Sequence, residues 1–353
     1  MDDRSFISSF RGFRHWPRAV LFALLIFGLI ELALAVGWRP DVVGARWYQS
    51  RSTDYDYGFS SDQPRLFRFG NELRYYNTEY IDIRPFTLAA RKSPREIRIF
   101  VFGTSVTQGG GAAEHAAYPA VLDSLLSDRN PEFDWRVVNL AANGFGSERI
   151  LHVMQNLIVY DPDLVVVHPH GSNEFEDEVA ARRRAQLHSG LNGLLLRSRL
   201  LVLLKKLEAQ WLGERESPDL HAETEAEAGR DPENVARWQG MLEVNLQRIS
   251  DLAELTQTPS VYVGRAERNS ELFESVRGRA LNDPIRDRPN YLDVAALYVR
   301  QSDTDSPTDL FRDGTHYSDH GHALVAGALY ELIQPGGALF DQMWANRDLP
   351  PTE

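Results

Sequence analysis

The sequence predicts a three-layer α/β/α fold with a mainly parallel central sheet, preceded by one transmembrane helix near the N-terminus. Short apolar runs with the composition of buried strands alternate with stretches that have a helical spacing of apolar positions. A separate apolar run, Val20–Val36, precedes all of them. Because strands that alternate with helices form parallel sheets, this order favours one sheet with helices on both faces.

The composition is that of an ordinary globular protein, and it excludes several kinds of site. The 353 residues are 43% hydrophobic and 25% charged, and 38 Lys and Arg against 50 Asp and Glu give a net charge of -12. Nucleic-acid binders neutralise phosphates with clustered Lys and Arg, so this balance argues against nucleic acid as a partner. The absence of Cys excludes disulfides, thiolate metal sites and cysteine nucleophiles.

The apolar run Val20–Val36 has the properties of a signal anchor. Its length reaches the short end of the roughly 17–25 residues that cross a bilayer. Trp16 and Trp38 flank it, as interfacial aromatic residues often do. Arginines precede it at four positions, Arg4, Arg11, Arg14 and Arg18. The positive-inside rule therefore predicts a cytoplasmic N-terminus at residues 1–19 and an extracytoplasmic remainder.

Two other interpretations of this run stay open. Ala33-Leu34-Ala35 has the small-x-small form of a signal-peptide cleavage site, and a buried core helix is also compatible with the composition. Glu31 is costly in lipid, so we expect it at a membrane interface or against a partner helix. A second membrane protein is therefore one expected partner of the Glu31 face.

The chain then divides into a lead-in, a main domain and a tail. Residues 37–95 are rich in Tyr, Arg, Asp and Pro, which predicts an extended, partly structured segment. The main domain covers residues 96–335, and residues 336–353 form a C-terminal tail. The predicted strands of the main domain are Ile97–Gly103, Trp135–Ala141, Asp163–His168, Ser260–Gly264 and a short fifth at Tyr291–Val294. Its predicted helices are Tyr118–Leu126, Arg149–Ile158, Val235–Leu255 and Ser318–Ile333.

An insertion at residues 174–234 interrupts this alternation. Leu191–Leu207 is strongly apolar with interspersed Arg and Lys, which predicts either a helix packed on the domain or a lid or interfacial helix on lipid. Glu214–Glu233 is acidic and rich in Ala, which predicts a solvated loop.

The predicted sheet locates the functional site before any motif is considered. In open parallel sheets, ligands bind at the carboxyl ends of the strands. The first such end is followed by the Gly-rich turn Gly103–Gly109, which exposes the Ser105 hydroxyl and backbone N–H groups at a helix N-terminus. The alternative is an ordinary turn with a capping serine. A phosphate-binding loop is disfavoured because no Gly-Lys-Ser/Thr follows.

The next two strand ends carry weaker signals. Gly144 follows the second strand and lets the backbone approach a substrate closely, or serves only as a tight turn. Asn173 follows the third strand and can donate a side-chain N–H to an oxyanion, or is only a turn residue. His168 and His170 form an H-x-H pair that can ligate metal, although we expect packing roles for both.

A fourth segment near the C-terminus joins a carboxylate to an imidazole. Asp313 and His316 are three residues apart, just before a helix whose expected N-cap is Ser318. This spacing lets the carboxylate hold one imidazole nitrogen and aim the other at a hydroxyl nucleophile. The alternatives are a capped helix start or a metal site built from His316, His320 and His322.

In this order the four segments resemble the SGNH (GDSL-type) hydrolase superfamily over roughly residues 96–335. The blocks are Gly103-Thr104-Ser105, Asn139–Gly144, Gly171–Glu174 and Asp313–His316. Thr104 stands where the family has Asp, and Glu174 stands where Asp follows the Asn. Neither position carries one of the four groups for which the family is named, so the departures leave the chemistry intact and put the loop geometry in question.

The resemblance implies an SGNH (flavodoxin-like) sheet and a Ser-His-Asp triad of Ser105, His316 and Asp313. It also implies an oxyanion hole built from Ser105, Gly144 and Asn173, with no metal or organic cofactor. We therefore predict a membrane-anchored extracytoplasmic serine esterase acting on O-acyl groups of a glycan. The alternatives are an O-acyltransferase on polysaccharide, a lipase or lysophospholipase, and a non-catalytic partner of a polysaccharide complex.

Overall fold

The computed structural model describes residues 16–37, 66–75, 83–187, 190, 198–201, 203–204, 228–268, 273–301 and 307–348. The chain divides into two compact units, one made of residues 1–61 and 183–217 and the other of residues 62–182 and 218–353. Parts of the predicted cytoplasmic N-terminus, lead-in, insertion and tail lie outside the described residues: 1–15, 38–65, 76–82, 188–189, 191–197, 202, 205–227 and 349–353. Most of the two predicted parts of the insertion, Leu191–Leu207 and Glu214–Glu233, therefore lie outside the described residues.

The first unit contains the predicted apolar helix. Helix α1 covers Trp16–Gly37 and begins before Val20, because Pro17 is tolerated in the first turn of a helix. Its 22 residues are about 33 Å long, which matches the hydrocarbon thickness of a bilayer. Length and composition allow α1 to cross a membrane, and a signal sequence has the same properties.

The second unit begins with a small antiparallel sheet within the predicted lead-in. Its strands are β1 (Leu66–Phe69), β2 (Glu72–Tyr75) and β3 (Phe86–Ala89), in the order β1-β2-β3. Tyr75, Ile83 and Leu88 are buried in a hydrophobic cluster of the main domain. This part of the lead-in therefore contributes to the folded core.

The central sheet confirms the predicted fold class. Its strands are β4 (Glu96–Gly103), β5 (Asp134–Asn139), β6 (Leu164–His168), β7 (Ser260–Val263) and β8 (Tyr291–Leu292). They pair in the order β5-β4-β6-β7-β8, and every pair is parallel. All five predicted strands are present, with ends that differ by one or two residues.

Helices cover both faces of this sheet. In chain order they are α2 (Ser105–Gln108), α3 (Tyr118–Arg129), α4 (Ser147–Leu157), α5 (Glu174–Leu187), α6 (Pro232–Leu255), α7 (Val276–Arg286), α8 (Val294–Gln301), α9 (Pro307–Leu310), α10 (Asp319–Ile333) and α11 (Ala338–Ala345). Ser318 is the N-cap of α10, as predicted, and its hydroxyl accepts a hydrogen bond from the Gly321 N–H.

Strand β4 divides the core into two layers, because successive side chains of a strand point to opposite faces. Ile97, Ile99 and Val101 belong to the cluster that α3, α8, α10 and α11 complete. Phe100 and Phe102 belong to the cluster that α4 and α6 complete. The run Ile99–Phe102 on β4 is continuously apolar because both faces of a parallel sheet are buried.

Several of these helices were not predicted, and for α7, α8 and α11 the reasons can be identified. Helix α7 contains Gly278 and Pro284 in its interior, and both residues lower helix propensity. Helix α8 has only 8 residues. Helix α11 lies within the predicted tail, where Leu339, Phe340 and Met343 nevertheless pack into the core.

Candidate active site

The predicted site segments follow three adjacent strands. Strand β4 lies between β5 and β6, so the residues after all three strands meet at one edge of the sheet. Ser105 comes two residues after the end of the middle strand, Gly144 follows β5 and Asn173 follows β6. This arrangement is the one expected from the order of strands and helices along the chain.

Ser105 is the first residue of α2, and it does not cap the helix. The N-cap is Thr104, with extended backbone angles of φ -113 and ψ -164, and it makes no side-chain capping bond. The Gln108 N–H donates to the Thr104 carbonyl at 2.8 Å, which closes the turn. The Ser105 hydroxyl is therefore available for another partner.

Asp313 and His316 lie in a tight turn between two short antiparallel segments. A β-bridge joins Phe311 to Tyr317, and the Arg312 N–H donates to the His316 carbonyl at 2.9 Å. Below the turn, the Ser318 N–H donates to the Leu310 carbonyl at 2.9 Å. These bonds fix the backbone on both sides of the two side chains.

The structure brings Ser105, His316 and Asp313 together. His316 Nε2 lies 3.0 Å from Ser105 Oγ, and His316 Nδ1 lies 2.7 Å from Asp313 Oδ2. Ser105 and His316 are 211 positions apart in the sequence. Both distances are within hydrogen-bond range.

Backbone donors hold the Asp313 carboxylate in this position. Asp313 Oδ1 accepts hydrogen bonds from the His316 N–H at 2.7 Å and from the Thr315 N–H at 2.8 Å. Partial burial raises the pKa of Asp313, but the two N–H donors and the imidazole outweigh that effect, so its pKa lies below the usual value. The carboxylate therefore stays ionised over the neutral pH range.

This arrangement is able to move a proton from the serine to the histidine. An ionised Asp313 accepts the Nδ1 proton of His316, which leaves the Nε2 lone pair facing the Ser105 hydroxyl. A serine hydroxyl next to such a base is activated as a nucleophile. The same imidazole, once protonated, is able to donate to a leaving group.

Gly110 packs against the His316 ring, and this contact was not predicted. A Cβ atom at position 110 would lie 2.6 Å from His316 Cδ2 and 2.9 Å from His316 Nε2. The Gly110 N–H also donates to the Ser105 carbonyl at 2.7 Å. Only a residue without a side chain fits between Ser105 and His316. The Gly-Gly-Gly run at 109–111 was the available sequence signal.

Gly144 and Asn173 lie on two loops that contact each other. Gly144 has φ 69, a backbone conformation that favours glycine. The Asn173 side-chain amide donates to the Phe145 carbonyl at 3.0 Å. The Gly144 carbonyl accepts a hydrogen bond from the Arg149 guanidinium. The place of these two residues in an oxyanion hole stays a prediction.

Glu174, at one of the departures from the family pattern, is fully buried and holds the start of α4. Its carboxyl accepts from the Ser147 N–H at 2.7 Å and lies 2.9 Å from Ser147 Oγ. Asp177, one turn later, accepts from the Gly146 N–H at 3.2 Å and from the Glu148 N–H at 3.0 Å. Burial and the nearby Asp177 charge raise the pKa of Glu174 to about 8.

A layer of buried polar side chains lies behind the serine turn. His168 Nδ1 is 3.0 Å from Thr107 Oγ1 and 3.3 Å from the Tyr118 hydroxyl. The Tyr118 N–H donates to His322 Nδ1 at 3.3 Å. Burial lowers the pKa of His168 to about 3 and that of His322 to about 4, so both rings are neutral at pH 7. They pack and hydrogen-bond as neutral groups.

The histidines considered as metal ligands have other partners in the structure. His170 Nδ1 lies 2.7 Å from Ser172 Oγ, and burial lowers its pKa well below the usual value. His316 contacts Ser105 and Asp313. Among the residues that the structure describes, no group of three His, Asp or Glu is placed to hold a metal ion.

The chain matches one family of known proteins by sequence. The family is described as GDSL-like lipase/acylhydrolase, and the match covers residues 99–329, about two thirds of the chain. No curated protein sequence matches the chain significantly.

Several solved structures are similar to this one at low sequence identity. A catalytic mutant of the acetylxylan esterase Axe2 from Geobacillus stearothermophilus is 17% identical, with a TM-score of 0.45, and the match covers 70% of this chain and 97% of that one. TesA is 14% identical, with a TM-score of 0.42 and coverages of 67% and 98%. The α/β hydrolase LAE5 from the metagenome of Lake Arreo is 17% identical, with a TM-score of 0.41 and coverages of 67% and 94%.

The sequence match and the fold agree with the resemblance noted in the four sequence blocks. The match begins within β4, just before the serine turn, and ends within α10, after the Asp-His turn. The chain belongs to the GDSL-like lipase/acylhydrolase family, and it is an ester-hydrolysing serine hydrolase.

Proposed function

We propose that this chain is a membrane-tethered, extracytoplasmic serine esterase that removes O-acyl groups from a glycan. In this proposal Ser105 is the nucleophile, His316 is the general base and Asp313 orients the base. The observation that carries it is the hydrogen-bonded path from Ser105 Oγ through the His316 ring to Asp313, with distances of 3.0 and 2.7 Å. The proposed reaction uses no metal and no organic cofactor.

Acylation begins with attack of Ser105 Oγ on the ester carbonyl carbon. The hydroxyl proton passes to His316 Nε2 as the new C–O bond forms, and the carbonyl π electrons move to the oxygen. His316 then donates that proton to the alcohol oxygen of the sugar as the ester bond breaks. The products of this step are the free sugar hydroxyl and an acyl-Ser105 ester.

The oxyanion of the tetrahedral intermediate needs N–H donors at the same edge of the sheet. We assign the backbone N–H groups of Ser105 and Gly144 and the side-chain amide of Asn173 to this role. One amide hydrogen of Asn173 is donated to the Phe145 carbonyl, and a second remains for the oxyanion. Each such donor typically contributes about 10²–10³-fold to the rate.

Deacylation repeats these steps with a different nucleophile. A water molecule, deprotonated by His316, attacks the acyl-Ser105 carbonyl, and the acid leaves as Ser105 recovers its proton. A second sugar hydroxyl in place of water would convert the same enzyme into an O-acyltransferase. The choice between the two depends on which acceptor reaches the acyl group.

The surface around the path supports a polar polymer as substrate. The Asp313 side chain is 56% exposed and the His316 side chain is 30% exposed. Next to them, Arg312 and Asp319 form an ion pair at the surface. An open, charged surface suits a hydrated glycan chain better than a long acyl chain, which needs an enclosed apolar pocket.

A lipase or lysophospholipase is the second candidate function. The membrane tether and the apolar stretch Leu191–Leu207 in the insertion favour it, since lipases work at lipid surfaces. This candidate predicts faster turnover of long-chain esters than of acetyl esters, and activation by vesicles. The glycan esterase predicts the opposite order and no activation.

The first experiment compares the full chain with Ser105→Ala in detergent. We expect wild type to react with a fluorophosphonate probe and to hydrolyse p-nitrophenyl acetate faster than the longer esters. Ser105→Ala should lose probe labelling and at least about 10³-fold in kcat/KM. Ser124→Ala, which removes an exposed hydroxyl from α3, is the matched control. Equal labelling of wild type and Ser105→Ala would remove Ser105 from the mechanism.

The second experiment identifies the acceptor of the acyl group. Wild type and His316→Ala are incubated with an O-acetylated polysaccharide, with and without a deacetylated one. Free acetate indicates hydrolysis, and acetylation of the second polymer indicates transfer.

A third experiment reports the compartment. Because the chain has no Cys, a single cysteine is placed at exposed Leu255. An impermeant maleimide should label it in spheroplasts, and protection until lysis would overturn the extracytoplasmic assignment.

A further inference from the structure

The carboxylate of Glu31, in the last third of the apolar helix α1, has three hydrogen-bond donors from the insertion. The Arg199 N–H and the Leu200 N–H each donate to it at 3.0 Å. The Ser198 hydroxyl donates to the same carboxylate. Ser198 Oγ in turn accepts from the Leu201 N–H at 3.1 Å. All of these residues belong to the same compact unit as α1.

These bonds satisfy the first turn of a second helical segment. Residues 199–201 and 203–204 are helical, and their first N–H groups lack partners within the helix. Glu31 and Ser198 accept from those groups. The carboxylate therefore acts as a cap supplied from α1, more than 160 positions away along the chain.

The position of Glu31 along α1 sets the depth at which this contact occurs. Glu31 lies six residues before the end of α1 at Gly37, which is about 9 Å along the helix axis. When α1 spans a bilayer about 30 Å thick, Glu31 lies within the hydrocarbon of the outer half. Ser198 and the backbone of Arg199 and Leu200 must lie at the same depth, because they contact its carboxylate.

In lipid, the Glu31 carboxylate and the backbone N–H groups of Arg199 and Leu200 stabilise each other. A carboxylate in the hydrocarbon region is costly unless it is paired or hydrogen-bonded, and a backbone N–H without a partner is also costly there. The residues around the contact are apolar and exposed: Leu29, Leu32 and Leu204 have 58%, 62% and 51% exposed surface. Such surfaces suit contact with acyl chains.

The charges that flank this segment suit the lipid headgroup region. The apolar run Leu200–Leu204 lies between Arg197 and Arg199 on one side and Lys205 and Lys206 on the other. Long basic side chains extend their charged ends to the interface while their stems stay in apolar surroundings. Anionic headgroups attract them.

We propose that residues 198–201 and 203–204 form a second membrane-seated element, a short re-entrant helix in the outer leaflet that Glu31 holds against α1. The partner of this surface is the outer-leaflet lipid. The proposal rests on the proposed function, since it requires α1 to be the membrane anchor and the N-terminus to lie on the cytoplasmic side. It replaces the expected second membrane protein with a partner inside the same chain.

Site-directed spin labelling tests this inference, because the chain has no Cys to remove. Single cysteines are placed at Leu204, at Leu29 in α1 and at exposed Leu255 in the hydrolase unit, and the full chain is reconstituted in phosphatidylcholine–phosphatidylglycerol vesicles. Collision rates are measured with oxygen, which concentrates in lipid, and with a water-soluble nickel chelate. We expect the oxygen-to-nickel ratio at Leu204 to equal that at Leu29 and to exceed that at Leu255 several-fold.

Variants of Glu31 test whether the carboxylate holds the segment. Glu31→Leu should lower the ratio at Leu204 to that of Leu255 and leave the ratio at Leu29 unchanged. Glu31→Gln, which keeps an acceptor oxygen, should give a smaller loss. No change at Leu204 in Glu31→Leu would overturn the proposed role of the carboxylate.

The measurements at Leu29 separate failure of this inference from failure of the anchor. A high ratio at Leu29 with a low ratio at Leu204 in the wild-type chain overturns the re-entrant helix and leaves the anchor intact. A low ratio at Leu29, or loss of the N-terminal residues by mass spectrometry, overturns the anchor and this inference together. The p-nitrophenyl acetate assay on the same sample reports separately on the esterase.

Discussion

Two histidines near the serine turn have opposite environments. His316 is 30% exposed at its side chain and has a carboxylate 2.7 Å from Nδ1. His168 is buried, and the hydrogen-bond neighbours of its Nδ1 are two hydroxyls, Thr107 Oγ1 and that of Tyr118. Burial without a compensating charge lowers the pKa of His168 to about 3. A carboxylate partner and solvent access, and not proximity to the serine turn alone, therefore make a histidine suitable as a base.

The largest expected effect comes from removing the exposed member of this pair. His316→Ala should lower kcat at least about 10³-fold, because Ser105 loses its proton acceptor. Its free energy of unfolding should change little, since the ring is partly exposed. Steady-state kinetics and urea unfolding of the same preparation check both statements. A variant that retains near wild-type kcat would show that the comparison misidentifies the base.

The second prediction moves the ring of His316 without removing it. Gly110→Ala places a methyl group 2.6 Å from His316 Cδ2, so the imidazole must shift away from Ser105. Displacement of a catalytic group by about 1 Å can cost about 10²-fold, and we expect a loss of that order in kcat with little change in KM. Gly327→Ala is the control, because a Cβ there meets nothing within 4 Å. Equal kinetics for both variants would contradict the proposed constraint.

The third prediction concerns the buried histidines and acid. Between about pH 4 and 6.5 the unfolded chain binds protons that native His168 and His322 do not bind, because burial lowers both pKa values. The free energy of unfolding should therefore fall as the pH drops below 6.5, by up to about 1.4 kcal/mol per pH unit for each ring.

Urea unfolding in detergent at pH 7.5, 6 and 5 measures this slope. His168→Asn should be less stable at pH 7.5, because Tyr118 and Thr107 lose a well-fitted partner, and its stability should fall less steeply towards pH 5. The same substitution at exposed His115 is the control for loss of an imidazole. A slope for His168→Asn equal to that of wild type would mean that His168 is not buried as a neutral ring.

The smallest expected effect concerns Glu174. Its contribution to the free energy of unfolding decreases as the pH rises, which is the opposite of the effect of the buried histidines. Its pKa is raised to about 8, so the native chain binds a proton that the unfolded chain releases above pH 4.5. Stability should fall as the pH rises towards 8. Glu174→Gln removes this loss. Between pH 5 and pH 9 its free energy of unfolding should rise by about 1–2 kcal/mol relative to that of wild type. Glu176→Gln, exposed on the same helix, is the control, and an equal pH dependence of Glu174→Gln and wild type would refute the assignment.

Much of this molecule was predictable from local patterns. Two strands that lead to the site contain continuous apolar runs, Ile99–Phe102 and Leu164–Val167, because both of their faces are buried. Asp313 and His316 are close enough in sequence for one turn to join them. The approach of His316 to Ser105 was predicted only through the resemblance to a family, since it depends on how the strands are ordered in the sheet.

Other features depend on tertiary contacts that local patterns do not encode. Gly110 is required by the ring of His316, which lies on a distant segment. Helix α7 forms despite Gly278 and Pro284, because Leu281 and Ile285 are buried in the core. The partner of Glu31 lies in the insertion, so the sequence could indicate only that the carboxylate needed one.

The four-residue turn Asp313–His316 contains both the carboxylate and the imidazole, and a β-bridge closes it on its own segment. The contact between carboxylate and imidazole is therefore local in the sequence, whereas the rest of the fold positions the turn: the Arg268 N–H, for example, donates to the Gly314 carbonyl at 3.1 Å. Residues 174–234 lie between Ser105 and this turn in the sequence, and they do not separate the carboxylate from the imidazole.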